Sequence, residues 1–427
     1  MQKTQQSNNG TRTFILITAF LNLAGIGILN PILPAAVGKY VPNENIAYQA
    51  GLLFAAYSLC QFLAVPTLGA LSDRYGRRPI LLFSLLGSAV GYLVFGLGGA
   101  LWVLYAGRII DGVTGGNIAA IYAYSADITQ RGERTKFFGL LGSAASLGFV
   151  IGPALGGALS LINLNTPLYV AAGVTLLNTI WGYYVMPESL PPEKRLDSIS
   201  PKKLNPFAQL FDVFKIFQLR WLLIGIFLWT FPFAMLQSNL ASLTEVQLFW
   251  TPAASSMTLL YVGGINVISQ GYFIGRILPR VGEVRLTIIG IVTQGIGLGL
   301  MAVVAATLNS PLVFVALFFT AMGNSLINPA LNGLLSQAVG SREQGRVQGG
   351  NQSIQALARV LGPLWGGWAY VHISPPSPYW TGALMMGMAA FAVFTALPAL
   401  KAHREANLVI DPEPPSSEAF IKPRFGD

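Results

Sequence analysis

Arg108 and Asp111 stand three residues apart within an apolar stretch covering 101–127. On a helix that spacing places both side chains on one face. A charge inside a bilayer costs several kcal/mol and is usually retained for function. Two readings fit the pair: Asp111 exchanges a proton while Arg108 sets its charge state, or the two only neutralise each other. Asp111 is the one carboxylate well inside any apolar stretch, and Arg359 is a second arginine at similar depth with no obvious partner. Arg359 either holds an anionic group or hydrogen-bonds main-chain carbonyls. Amides are frequent in the same stretches, among them Asn22, Asn30, Gln61, Asn117, Gln237, Asn239, Asn266 and Asn328. Some of these must line an aqueous cavity, because lipid would not repay their burial.

Other chemistries are poorly provided for. A single cysteine, Cys60, excludes a disulfide framework and a cysteine metal cluster. Two histidines, His372 and His403, leave little for a zinc site or a histidine-based triad. With no Walker-type phosphate loop, ATP-driven pumping, a membrane enzyme and a non-transporting sensor all rank low. No metal site is expected.

The elements that must position these residues are membrane helices. Of 427 residues 53% are hydrophobic and only 10% charged, against about 25% charged in ordinary soluble domains. Apolar runs predict twelve spans near 13–38, 48–71, 79–99, 101–127, 135–162 and 167–186, then 219–244, 253–277, 284–306, 309–338, 345–371 and 377–400. All are expected to be helical, since open strands cannot satisfy their backbone in lipid. Asn30-Pro31 with Pro34, Pro66 and Pro232 interrupt spans and predict bends, either static or part of a moving pathway.

The net charge of +9 reads as topology rather than nucleic-acid binding. All basic residues but Lys39, Arg108 and Arg359 fall on one face or in the termini, which places that face in the cytoplasm. Both termini are therefore expected to be cytoplasmic in a multi-pass plasma (inner) membrane protein, a monomer in contact with lipid. Residues 1–12 form a polar N-terminus, 13–186 a six-helix half and 219–400 a second half. Between them, 187–218 is a proline-rich cytoplasmic connector whose amphipathic piece around 207–217 is expected to lie on the membrane. The tail, 401–427, is expected to be disordered.

The halves repeat. Gly152-Pro153-Ala154-Leu155-Gly156-Gly157 recurs 210 residues later as Gly362-Pro363-Leu364-Trp365-Gly366-Gly367. At the same offset Glu133 meets Glu343, Lys136 meets Arg346, Gly139 meets Gly349 and Ser143 meets Ser353. So many matches at one spacing indicate duplication.

Gly69-Ala70-Leu71-Ser72-Asp73-Arg74-Tyr75-Gly76-Arg77-Arg78, between the second and third spans, resembles the signature loop of the major facilitator superfamily. The resemblance implies an all-α membrane protein of twelve helices in two pseudo-symmetric halves, with a substrate site between them near mid-membrane. In that family the aspartate, here Asp73, latches span 2 to the start of span 11, and Arg78 and Asp127 resemble the rest of its charge cluster. Gly142–Gly157, with Gly148, Gly152, Pro153, Gly156 and Gly157, is similar to the motif of the family's antiporters. Arg108 falls in an Arg-x-x-x-Gly pattern that resembles a span 4 motif associated with proton transfer.

The stretch from Phe20 to Pro34 is close to the first span of tetracycline exporters. Those carry acids where this chain has Asn22 and Gly91, and span 9 here offers Gln294 but no acid. The resemblance thus implies a secondary transporter that exports a small amphiphile by alternating access, without a cofactor and with the proton as a candidate coupling ion. The alternative is a uniporter or importer of an anionic metabolite held by Arg108 and Arg359.

Overall fold

The computed structural model describes residues 2–129, 133–199, 204–216, 219–337 and 344–410. The first half comprises α1 (Gln2–Leu29) with the short α2 (Leu33–Val37), α3 (Ile46–Tyr75) and α4 (Arg77–Leu97). It continues with α5 (Leu101–Thr114), joined to α6 (Ile118–Ile128) by a 3-10 turn at Gly115–Asn117, then α7 (Arg134–Ser160) and α8 (Thr166–Val185). A connector helix, α9 (Pro206–Phe214), precedes the second half. That half holds α10 (Arg220–Ser242), and α11 (Pro252–Ile268) running through a π segment into α12 (Gly275–Val281). It ends with α13 (Glu283–Thr307), α14 (Ser310–Gln337), α15 (Gln344–His372) and α16 (Ser377–Ile410).

Taken as crossings, the described helices make twelve, six to a half. Nine are long and apolar enough to span a membrane on those grounds alone. The other three carry local features that lower the signal. The fourth crossing is cut by Gly115-Gly116-Asn117, α11 is 17 residues long, and α15 is loaded with amides and Arg359.

Two boundaries differ from expectation. The first crossing does not continue to residue 38. Its helix stops at Leu29 and the chain turns before α2. Pro31 has no amide to donate and disfavours helix at Asn30 before it. The turn is closed instead by Asn30 N–H to Gly27 O and Ile32 N–H to Leu29 O, each 3.2 Å. At the other end, the tail is not irregular from residue 401. α16 continues to Ile410, because Ala399-Leu400-Lys401-Ala402 and the residues after it are good helix formers. The remainder of the tail, 411–427, and Glu343 of the repeat lie outside the described residues.

The duplication is visible in the packing. In the first half α1 packs on α7 and α8, α4 on α5 and α8, and α3 on α5. In the second, α10 packs on α15 and α16, α13 on α14 and α16, and α11 on α14. The halves meet through α3 against α15 and α7 against α11, the same pairing in both directions under the repeat. Each half has its own apolar core: Phe14, Ile15, Leu81, Tyr124 and Leu141 in the first, and Leu222, Leu298, Met301, Val313 and Leu331 in the second, all 0–1% exposed.

Candidate functional site

The glycines of α7 and α15 divide into two sets. Gly148, Gly152 and Gly156 face α1: a Cβ at Gly152 would lie 2.9 Å from Ala24 Cα, and one at Gly156 3.0 Å from the Ile28 carbonyl carbon. Pro153 sits on the same seam, packed against Gly27. Gly157 points the other way, across to Ala253 and Ser256 of α11. The repeat does the same. Gly362 and Gly366 face α10 at Phe231 and Met235, whereas Gly367 faces Ala47 and Tyr48 of α3. The motif is therefore a packing device in both halves, with its last glycine reserved for the contact between halves.

Those contacts lie at one end of the molecule, the end opposite Arg77. There a Cβ on Gly51 would meet the Pro363 carbonyl at 2.5 Å, and Tyr48 lies edge-on to His372. Gly69 is 18 residues further along α3 than Gly51, five turns at about 3.6 residues each, so it shares that face. A Cβ on Gly69 would meet nothing within 4 Å. On α7, Gly139 stands 18 residues before Gly157, and a Cβ there also finds nothing within 4 Å. The two helix pairs that join the halves are thus in backbone contact at the far end and splayed at the basic end, the end that carries Arg74, Arg77 and Arg78.

Between them, near mid-depth, sits the charged group. Arg108 Nη1 lies 3.4 Å from Asp111 Oδ2, with the side chains 2% and 4% exposed. The Arg108 guanidinium stacks 4.0 Å above the Tyr57 ring of α3, a desolvated cation–π contact. Gln61 Nε2 donates to the Tyr57 hydroxyl and to Gly115 O, each at 3.1 Å. Asp111 is further enclosed by Gly91, where an added Cβ would lie 2.8 Å from the Asp111 Cβ. Arg359 is exposed and makes no ion pair among the described residues.

The structure separates the amides by role. Asn22 Nδ2 donates to Asn117 Oδ1 at 2.6 Å, tying α1 to the 3-10 turn. Ser325 donates to Asn266 at 2.5 Å between α14 and α11. Asn332 Nδ2 donates to Asn328 Oδ1 at 2.7 Å, and Asn351 continues that chain into α15. Asn30, Asn117 and Asn239 are no more than 2% exposed, so they do not face an opening; Asn117 is bonded to Asn22, whereas the Asn30 amide and Asn239 Nδ2 have no hydrogen-bond partner among the described residues. Gln237 and Gln61 are half-buried. Gln294 accepts from Trp229 Nε1 at 3.2 Å. Asn22 and Gln294 are thus bonded amides and Gly91 is a close-packed glycine.

At the basic end the signature turn is held within the first half. Arg77 pairs with Asp73 and donates to Ser72 Oγ at 3.1 Å, and its Nε lies 3.5 Å from Asp127 Oδ2. None of these described contacts is the latch to α15 that the resemblance implies for Asp73. Arg78 stands apart from the cluster, its Nη2 donating to Tyr183 O at 2.5 Å and its guanidinium over the Tyr183 ring. Arg74 lies over the neighbouring Tyr75 ring. Gly76 has a φ of +108°, open to glycine and strained for other residues.

Sequence reasoning missed Glu188. Its carboxylate accepts the main-chain N–H groups of Arg77 (2.9 Å) and Arg78 (3.3 Å), the unpaired donors at the start of α4, and lies 4.0 Å from Arg195. Leu196 N–H donates to Asp73 O at 3.0 Å, so the connector folds back under the turn. Glu188→Ala is expected to cost about 1–2 kcal/mol, the usual scale for a lost cap with a favourable charge. Glu188→Gln should lose about half of that. Thermal unfolding in detergent measures both, and an unchanged midpoint in the alanine variant removes the cap.

The connector helix departs from a purely membrane-surface position. Val213 of α9 is 1% exposed within the second half's core, and the Phe207 ring stands 5.3 Å edge-on to Phe62 of α3. α9 therefore bridges the halves on the splayed side.

Comparison with known proteins agrees with this architecture. The Major Facilitator Superfamily model matches residues 15–363, and again 280–423. The tetracycline resistance protein, class C, of Escherichia coli is 33% identical over 412 residues, covering 92% of this chain and 97% of that protein. Multidrug resistance protein 2 of Bacillus subtilis (strain 168) is 27% identical, covering 85% and 90%. Among solved structures, the nucleoside transporter NupG has a TM-score of 0.73 at 15% identity, covering 91% of this chain and 99% of that one. The human organic anion transporter MFSD10 (TETRAN) has a TM-score of 0.67 at 24% identity, covering 90% and 99%. Duplicated helix pairing, a signature turn and full-length similarity converge on one assignment: this chain is a multi-pass membrane transporter of the major facilitator superfamily, not an enzyme.

Proposed function

We propose that the chain exports a small amphiphile from the cytoplasm by alternating access, with the proton as coupling ion. The observation that carries this reading is the asymmetry of the two inter-half seams. Gly51 and Gly157 touch the opposite half, while a Cβ added at Gly69 or Gly139, on the same helix faces, would meet nothing within 4 Å. Such a geometry is one of two states of a rocking pair, open toward the basic end, and the charge bias supports a cytoplasmic position for that end and for both termini. Similarity to resistance proteins over more than nine-tenths of the chain favours outward transport. Asp111 is the candidate proton carrier because it is the carboxylate nearest mid-depth and is held by one arginine.

Purified protein in liposomes, loaded with a panel of amphiphilic dyes, tests the reading. Dye movement away from the basic face, accelerated by an opposing pH gradient, is the expected outcome. Movement indifferent to the gradient removes proton coupling, and movement only toward the basic face removes export.

A further inference from the structure

We propose that the cargo is an organic anion and that Arg359 is the residue that binds its carboxylate or sulfonate; this rests on the transporter reading above. The argument is one of charge and register. α3 and α15 run antiparallel, with Gly51 beside Pro363 and Tyr48 beside Gly367. Continuing that register toward the basic end brings Tyr57 level with Arg359, and the two lie within electrostatic reach of each other. Arg359 thus faces the space between the halves, close to the middle of α15. A lipid-facing arginine at that depth would be costly.

On the first half's side of this space, Arg108 and Asp111 cancel one another 3.4 Å apart and are almost fully buried. Neither is free to take a ligand's charge. Arg359 is different. It is exposed and has no described carboxylate or hydrogen-bond partner. Gln352, two turns nearer the basic end on the same face of α15, is also exposed and extends a polar track toward it. Among the described residues Arg359 is thus an uncompensated positive charge on the chamber, a guanidinium with fork geometry suited to a planar carboxylate or a sulfonate. A cationic amphiphile would meet repulsion there, with no carboxylate paired to Arg359 among the described residues, whereas an anion completes the charge balance.

Fluorescein and rhodamine 6G share a xanthene frame and carry opposite charge at neutral pH, so they isolate this effect. Binding to the detergent-solubilised chain, read by fluorescence anisotropy, should favour fluorescein. Arg359→Gln should weaken fluorescein binding about 10- to 100-fold, the scale of one charge-assisted hydrogen bond, with rhodamine 6G binding unchanged or stronger. Arg359→Lys should retain binding to within a few-fold, which shows that a misfolded variant is not the cause. Preference of the wild type for rhodamine 6G, no binding of fluorescein, or full fluorescein binding in Arg359→Gln overturns the inference. Liposome flux of the same dyes keeps the two claims apart. Rhodamine 6G flux indifferent to Arg359→Gln leaves the transporter standing and removes the anion site. Arg359-dependent fluorescein binding without flux of either dye supports the site and removes the transport reading.

Discussion

Arg108→Leu is expected to destabilise the protein by about 3–5 kcal/mol, the scale seen when one partner of a buried pair is removed. The cause is the carboxylate left behind. Asp111 is 3% exposed, packed against Gly91, with Arg108 as its ion-pair partner. Without that guanidinium the Ser88 hydroxyl remains beside the carboxylate, which must either carry an unpaired charge in a low-dielectric interior or take up a proton. Arg108→Leu with Asp111→Leu removes both charges and should recover most of the loss, since a buried pair contributes little net stability over apolar replacements. Asp111→Asn alone should be milder, because Arg108 keeps the Tyr57 ring 4.0 Å beneath it. Thermal unfolding in detergent orders the three variants. Flux assays then ask a separate question of the same proteins. If Asp111 carries the coupling proton, Asp111→Asn folds, still exchanges dye down a concentration gradient, and loses acceleration by a pH gradient. Retained acceleration removes Asp111 from the coupling step, and an Arg108→Leu variant as stable as the wild type removes the pair as a structural element.

Much of the fold is legible in the residues, for a simple reason. A helix crossing lipid must be apolar over a fixed length, so nine crossings identify themselves by length and composition and three rest on weaker runs, while Asn30-Pro31 signals a bend though not the helix end at Leu29. The repeat of Gly152–Gly157 at Gly362–Gly367 likewise survives as letters. What sequence cannot display is which neighbour a side chain meets. Arg108 and Asp111 are adjacent on one helix and could be paired from spacing; Tyr57 beneath Arg108 comes from a different helix and carries no signal of its own. Glu188 is invisible in the same way, because its capping of α4 depends on the connector folding back through Leu196 to Asp73. The amides mislead for a related reason. Asn22 and Asn117 look like a polar lining until the structure shows them satisfying one another. Neighbouring glycines with opposite duties, Gly156 and Gly157, are equally indistinguishable as letters.

That last distinction yields a prediction of opposite signs at matched positions. Gly367→Leu puts a side chain where a Cβ would already lie 2.8 Å from Ala47 O, across the seam between halves. Overpacking of this kind costs about 1–3 kcal/mol, and the chain can relieve it by separating the halves at the far end. A bias of that size changes the ratio of two states by about 5- to 150-fold. Gly69→Leu, on the splayed side, meets nothing in the present arrangement but obstructs any state in which the basic end closes. Spin labels on cysteines at exposed Asn163 and Asn309, in loops at the far end of each half, read the separation in a Cys60→Ala background. Gly367→Leu should move the distance distribution to longer values, while Gly69→Leu should hold it at the short one. Both variants should lose flux, because a two-state carrier stalls when either state is blocked. Gly366→Leu provides the contrast. Its side chain would press on Met235 within the same half, so it should lower the unfolding temperature without moving the labels. Equal distance distributions in Gly367→Leu and Gly69→Leu, with both proteins folded, would mean that the glycine seams do not set the relation between the halves.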